Sequence, residues 1–152
     1  MNDSGPEDHR RTENQTPEYV DDLTIEAVGL LTEALETTER ARGHLHSFHQ
    51  LTGKADFEVG DAIEKLREAG HRELAKRLET ELLGRNVLPG MWSFQILERY
   101  DDTYWLPFRE LENQVRGACV QGRRHVHEAG LKESRRTRGH PDHTAQPEAG
   151  RS

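Results

Sequence analysis

Cysteine and apolar residues are scarce in this sequence. One cysteine, Cys119, stands among 152 residues, which excludes an internal disulfide framework and favours a reducing compartment. The hydrophobic fraction is 32%, and no apolar run approaches the roughly 20 residues that span a bilayer. The N-terminal stretch is polar and lacks the apolar segment of a secretory signal. We therefore expect a soluble, cytoplasmic protein that has no membrane partner.

Catalytic motifs are also missing. The sequence contains no Gly-rich phosphate loop and no Gly-x-Ser-x-Gly turn. Cys119 has no base at a suitable spacing, because His125 lies on a different side of a helix. Glu68 and His71 match the Glu-x-x-His spacing of di-iron bundles, but Gly70 interrupts the helix that such a pair requires. The sequence does not decide whether the protein is an enzyme, but the missing motifs favour a protein without catalytic activity.

Charge is distributed unevenly along the chain. The net charge is -7, and acidic side chains are concentrated in the middle, whereas residues 123–152 carry seven basic and four acidic side chains. Residues 1–20 and 133–152 are rich in Pro, Gly, Ser, Thr and charge, so we expect both tails to be disordered. Residues 21–132 are predicted to form a single helical domain. Its acidic surface disfavours nucleic acid as a partner, except through the basic C-terminal tail.

Helical periodicity dominates the central region. A first long helix is predicted over residues 22–52, with Asp22 as its N-cap and Gly53 as its end. Its apolar face is predicted to hold Ala27, Leu30, Leu31, Ala34, Thr38, Ala41, Leu45 and Phe48. Two short helices follow, over residues 56–69 and 71–83, and they form a helical hairpin.

A Pro89-Gly90 turn leads towards the last long helix, which shows the clearest spacing. The helix is expected to begin near Tyr104, because Pro107 fits only its first turn. Its apolar stripe consists of Tyr104, Phe108, Leu111, Val115, Ala118, Gly122, Val126 and Ala129. Neither long helix can bury its stripe alone. The sequence therefore predicts an all-α fold, a three- to four-helix bundle-like arrangement of two long antiparallel helices plus a short helical hairpin.

Aromatic residues are few, and most of them lie in one segment. The chain has two Trp, three Tyr and four Phe, and six of these nine fall within residues 92–108. Aromatic side chains concentrate at binding hot spots. The candidate contacts for a ligand or partner are therefore Trp92, Tyr100, Tyr104 and Trp105, with Arg42 on the first helix. The alternative is that these large side chains dock the connecting segment onto the bundle.

Histidines crowd the end of the first long helix. His46 and His49 are three residues apart and share a helix face, so both imidazoles can bind the same metal ion. The antiparallel arrangement brings them towards Asp101 and Asp102, and these four residues are candidates for a divalent metal, the cofactor that the sequence suggests. The same residues could instead form an acid–base pair in an aromatic pocket. They could also form a structural hydrogen bond that fastens the two helices together.

Two kinds of function follow from these features. The small-residue stripe, the aromatic segment and the missing catalytic motifs favour a helical module that acts by association, with itself as a homo-oligomer or with a partner protein. The alternative is a helical protein that binds a metal or small ligand, including as an enzyme. Its site would be formed by the His, Asp and aromatic residues between the two long helices.

Overall fold

The structure, a computed structural model, describes residues 8–147. After a short 3₁₀ turn (Thr12–Asn14), its helices are α1 (Asp22–Glu68), α2 (Arg72–Glu81), α3 (Ser93–Tyr100), α4 (Leu106–Val120) and α5 (Val126–Arg135). A π-helical turn, Asp101–Trp105, joins α3 to α4. The only β-type pairing in the described range is one isolated bridge between Leu88 and Met91. The predicted all-α fold is confirmed.

α1 is one continuous helix where the sequence predicts two. Its 47 residues run through Gly53, because one interior glycine costs about 1 kcal/mol relative to alanine, whereas a helix end leaves four carbonyls in need of partners. Asp21, not Asp22, provides the N-cap: its carboxylate accepts the backbone N–H of Thr24 at 2.8 Å, and this bond lowers the pKa of Asp21. No helix within residues 8–147, α1 included, is long and apolar enough to cross a membrane.

The predicted helical hairpin is present, with the end of α1 as its first arm and α2 as its second. Gly70 forms the turn with a φ of +87°, which a residue without a side chain adopts at little cost. Ile63 on α1 and Ala75 on α2 are buried, with 2% and 0% of their surface exposed. Arg67 and Glu79 form an ion pair at 2.7 Å. Apolar packing and this pair therefore hold the two arms together.

The last long helix begins and ends earlier than the sequence predicts. Helical backbone already starts at Ser93, because α3 continues through the π-helical turn into α4. It ends where Gln121 and Gly122 take positive φ angles of 57° and 71°. α5 is therefore a separate helix. The predicted stripe begins at Tyr104 in the π-helical turn, continues along α4, and resumes at Val126 on α5 after the break at Gly122.

The described chain divides into two compact units, and α1 contributes to both. The first unit consists of residues 8–36 and 108–147, and its buried hydrophobic side chains are Val28, Val120 and Val126. The second unit consists of residues 37–107, and its buried hydrophobic side chains are Ile63 and Ala75. Each core is small. The single domain that the sequence predicts over residues 21–132 stays a prediction.

Hydrogen bonds connect parts of the predicted N-terminal tail to the rest of the first unit. The side-chain amide of Asn14 donates to the carbonyl of Arg124 at 3.1 Å, and the Arg123 guanidinium donates to the carbonyl of Gln15 at 2.9 Å. The outer parts of both predicted tails, residues 1–7 and 148–152, lie outside the described residues. The disorder of the tails stays a prediction.

Candidate functional site

Arg42 and Asp101 form a bidentate contact in the second unit. α1 carries Arg42, and the π-helical turn carries Asp101. Nε and Nη2 of Arg42 donate to the two carboxylate oxygens of Asp101 at 2.7 and 2.9 Å. About a quarter of each side chain is exposed, 27% for Arg42 and 25% for Asp101. Because a two-point contact between a planar guanidinium and a carboxylate is geometrically specific, this pair fixes the π-helical turn against α1.

Trp105 adds two further contacts from the same turn. The centre of the Arg42 guanidinium lies 4.2 Å from the centroid of the Trp105 ring, within the range of a cation–π interaction. The indole N–H donates to Oε1 of Glu39 at 2.7 Å. Glu39 and Arg42 are neighbours on the surface of α1, three residues apart. We call Glu39, Arg42, Asp101 and Trp105 the Arg42 cluster.

Electrostatics within the Arg42 cluster keep Asp101 ionised. Hydrogen bonds from Arg42 lower the pKa of Asp101 below its usual range, against the opposing effect of burial, and the nearby His46 adds a smaller contribution in the same direction. The same contact raises the pKa of Arg42. Since both oxygens of Asp101 are bound by Arg42, this carboxylate is engaged in a structural role and not held ready as a metal ligand or general base.

Pro107 accounts for the widened turn that carries Asp101 and Trp105. A proline inside an α-helix lacks the N–H that would bond to the carbonyl four residues earlier, here that of Thr103, and its ring crowds that carbonyl. In the structure the backbone widens just before Pro107, and the N–H of Leu106 bonds to the carbonyl of Asp101, five residues back. Such π-helical turns are rare and occur frequently at functional sites.

Three of the four predicted aromatic candidates take part in ring contacts with a neighbouring aromatic side chain. Trp92 packs edge-on against Phe94 with ring centroids 5.4 Å apart, and Tyr100 packs against Tyr104 at the same separation. Trp92 and Tyr104 remain largely exposed, at 58% and 52%. Tyr100 is half-buried, and burial is the main cause of its raised pKa. The exposed members, Trp92 and Tyr104, are therefore the ones that can contact a partner.

The structure brings only part of the predicted metal site together. His46 lies close enough to Asp101 to affect its pKa, but Nδ1 of His49 is hydrogen-bonded to the hydroxyl of Ser93 at 2.8 Å. Asp102 is exposed. Among residues 8–147, no group of three or more His, Cys, Asp or Glu side chains is arranged to hold a metal ion. The sequence suggests a His–Asp hydrogen bond as a structural link between the two helices. In the structure the Arg42–Asp101 pair makes this link.

One face of α1 is exposed along most of the helix and carries mainly apolar residues at alternating steps of four and three. We call this face the α1 seam; its members are Leu23, Ala27, Leu30, Ala34, Thr37, Ala41, His44, Phe48, Leu51 and Ala55. All ten residues are exposed. The exposed fraction is 74% at Leu23, 59% at Leu30 and 63% at Leu51. An exposed face with this spacing is typical of a helix that packs against another helix along its length.

The apolar face that the sequence predicts for the first long helix is wrong in part. Thr38 is buried, and Leu31 and Leu45 are half-buried, whereas the other five members of the predicted face are exposed. The predicted face combines a buried stripe and a neighbouring exposed stripe. At about 100° of rotation per residue the two stripes lie side by side on the helix, so both fall within one broad apolar face. The strict alternation of four and three from Leu23 to Ala55 is the signal that separates the α1 seam from the buried stripe.

An apolar groove lies between the end of α1 and α2 in the second unit. Its volume is about 430 Å³. The groove is lined by Leu66, Leu74, Leu78 and Leu82, together with Arg77, Glu81 and Arg85. Arg77 pairs with Glu81 at 2.9 Å. Small-molecule sites combine an apolar wall with convergent polar groups; here the polar groups pair along the rim, so the groove mainly adds exposed apolar surface.

Comparison with known proteins gives no further information about this site. No protein-family model matches the chain, and no curated protein or solved structure matches it at a significant level.

Proposed function

We propose that the protein acts by association, binding a second copy of itself or a partner protein through its exposed helical faces. The observation that carries this proposal is the distribution of apolar side chains. In the described range, five hydrophobic residues are buried, whereas seventeen large hydrophobic side chains are exposed. A core this small leaves little apolar burial to offset the loss of chain entropy on folding. Association would bury the remaining apolar surface.

The arrangement of these residues supports the proposal more than their number does. Single exposed hydrophobic residues are normal on a protein surface and need no explanation. On α1, however, Leu23, Leu30 and Leu51 belong to one continuous face, the α1 seam. Contiguous apolar patches of this kind mark interaction surfaces. Trp92 and Tyr104 add exposed aromatic side chains of the type that dominates binding energy at interfaces.

The alternative functions have weaker support. A metal or ligand site at His46, His49, Asp101 and Asp102 lacks its central carboxylate, because Asp101 is bound by Arg42. Nucleic-acid binding by the basic tail relies on cationic side chains that are available to phosphate. In the described part of that tail, Glu133 already pairs with both Arg136 and Arg138.

Sedimentation velocity of the full chain over a wide micromolar range tests the self-association part of the proposal, and capture on the immobilised chain tests the partner part. The proposal requires a specific complex in at least one of these assays. The complex must be lost in at least one of two double variants, Trp92→Ala with Tyr104→Ala or Leu30→Gln with Leu51→Gln. Circular dichroism checks that each variant remains helical. The proposal would be overturned if the wild-type chain stays monomeric and captures the same proteins as the variants.

A further inference from the structure

We infer that the α1 seam binds a second copy of the chain, with the two α1 helices paired antiparallel as a coiled coil. This inference rests on the proposed function and names its partner and its surface. The ten residues of the α1 seam, from Leu23 to Ala55, are spaced alternately four and three residues apart without interruption. Sustained spacing of this kind over several heptads is the pattern of a coiled coil. At 1.5 Å per residue the seam is about 48 Å long.

Side-chain sizes along the α1 seam favour an antiparallel pair. In heptad notation the a positions are Ala27, Ala34, Ala41, Phe48 and Ala55, and the d positions are Leu23, Leu30, Thr37, His44 and Leu51. A parallel pair in register sets each residue against its own copy, which leaves four layers with alanine on both sides. An antiparallel pair sets a positions against d positions, so every alanine meets a larger side chain, and alternating large and small residues fill a helix interface evenly.

One antiparallel register uses the whole α1 seam. Its facing pairs, with one residue from each copy, are Leu23 with Ala55, Ala27 with Leu51, Leu30 with Phe48, Ala34 with His44, and Thr37 with Ala41. No member of the seam is left without a facing residue in this register. A shift by one heptad in either direction would leave seam residues at one end of each helix exposed.

Charges beside the α1 seam favour the same orientation. The g positions, which flank the a positions, are Glu26, Glu33, Arg40, Ser47 and Lys54, all exposed. The two acidic ones lie in the first half of the seam, and the basic Lys54 lies near its end. Antiparallel pairing brings g positions of the two copies together, so Glu26 of each copy approaches Lys54 of the other. Arg40 lies near the two-fold axis and faces its own copy, which is the one unfavourable contact.

The opposite flank explains why a parallel pair gains nothing from charge. The e positions are Thr24, Leu31, Thr38, Leu45 and Thr52, which carry no charge. In a parallel coiled coil, g positions of one helix pair with e positions of the other. Thr38 is moreover buried within the protein's own packing, and Leu31 and Leu45 are half-buried. Of the two orientations, therefore, only the antiparallel one brings an acidic g position, Glu26, beside a basic one, Lys54.

Apolar variants test whether the α1 seam is the interface. Replacing Leu30→Gln and Leu51→Gln removes two leucines from each copy, and the dissociation constant of the dimer should rise by at least about 100-fold. The matched control is Leu74→Gln with Leu111→Gln, which changes two leucines of similar exposure on α2 and α4. If the control dissociates the dimer and the seam variant does not, the assignment of the surface is overturned while the proposed function stands.

Charge reversal and cross-linking test the orientation. Glu26→Lys and Lys54→Glu should each weaken the dimer by about 2- to 10-fold, and the two changes combined in one chain should restore it. In a Cys119→Ala background, a chain with Leu23→Cys should form a disulfide with a chain carrying Ala55→Cys and not with itself. Self-linked Leu23→Cys dimers, or the absence of charge rescue, would overturn the antiparallel pair.

The wild-type sedimentation result separates this inference from the broader proposal. A wild-type chain that remains monomeric would overturn the inference that a second copy is the partner. Recovery of a partner protein that is lost with Leu30→Gln and Leu51→Gln would then keep the proposed function and give the α1 seam a different occupant. Because Lys54 also pairs with Glu58 at 3.5 Å within α1, helicity is measured for each charge variant by circular dichroism.

Discussion

Arg42 binds both carboxylate oxygens of Asp101 and at the same time covers the indole ring of Trp105. Arg42→Lys keeps the positive charge but loses the planar two-point contact and the stacked guanidinium. We expect the free energy of unfolding to fall by about 1–2 kcal/mol, measured by urea denaturation. The control is Arg72→Lys, at an exposed arginine on α2. Equal stability of the two variants would show that the Arg42 cluster contributes nothing specific.

Asp101 should make stability depend on pH in the acid range. Its folded pKa is lowered by Arg42, so the contribution is fully present above the ordinary aspartate pKa of about 3.9 and is lost as the pH falls through the lower folded pKa. Asp101→Asn should therefore reduce stability at neutral pH and flatten the loss below about pH 4. Urea denaturation at a series of pH values checks this, with the exposed Asp102→Asn as control. An unchanged acid profile would contradict the assigned role of Asp101.

Gly29 and Gly43 should respond in opposite ways to alanine. A Cβ added at Gly29 would lie 2.9 Å from Cβ of His127 on α5, whereas no atom of residues 8–147 outside the helix backbone and its neighbours lies within 4 Å of the same position at Gly43. Gly43→Ala should stabilise the protein by about 0.5–1 kcal/mol through helix propensity. Gly29→Ala gains the same propensity but forces α1 and α5 apart, for a net loss of about 1–2 kcal/mol. Thermal unfolding of both variants decides the matter, and stabilisation by Gly29→Ala would disprove the close packing.

Glu112 is a buried charge whose removal should be costly. Its Oε1 accepts hydrogen bonds from Thr32 and Arg116, both at 3.0 Å, and only 5% of the residue is exposed. Glu112→Gln leaves the largely buried Arg116 without its counterion, and we expect a loss of about 1–3 kcal/mol. The neighbouring Glu110→Gln, at an exposed position of α4, should change stability by less than about 0.5 kcal/mol. Similar losses in both variants would contradict this account of Glu112.

Local signals predicted the parts of the fold that local physics determines. Gly70 takes a positive φ in the turn just after α1, and Pro89-Gly90 forms the expected tight turn, in which the N–H of Met91 donates to the carbonyl of Leu88 at 2.9 Å. The continuation of α1 through Gly53 could not be predicted in the same way. Contacts that the local sequence does not reveal support it, such as the carboxylate of Asp56 accepting the N–H of Gly84 at 2.8 Å.

The sequence predicted which segments meet at the candidate site but not which side chains contact each other there. The antiparallel arrangement correctly places this part of α1 beside the segment that contains Asp101. It does not say which side chain of α1 makes the contact, because Arg42 and His46 lie on one helix face, and a shift of about 6 Å along the axis exchanges them. The π-helical turn shifts the register by a further residue, and sequence periodicity alone carries no signal for it.

That turn also has a consequence for insertions and deletions. A π-helical turn holds one more residue than the α-helical turn it replaces, since its hydrogen bonds span five residues instead of four. Asp102 and Thr103 are exposed, and deleting either one would turn Asp101 by about 100° about the helix axis relative to α4. A chain shortened by one residue at this position is thus expected to lose the two-point contact between Asp101 and Arg42.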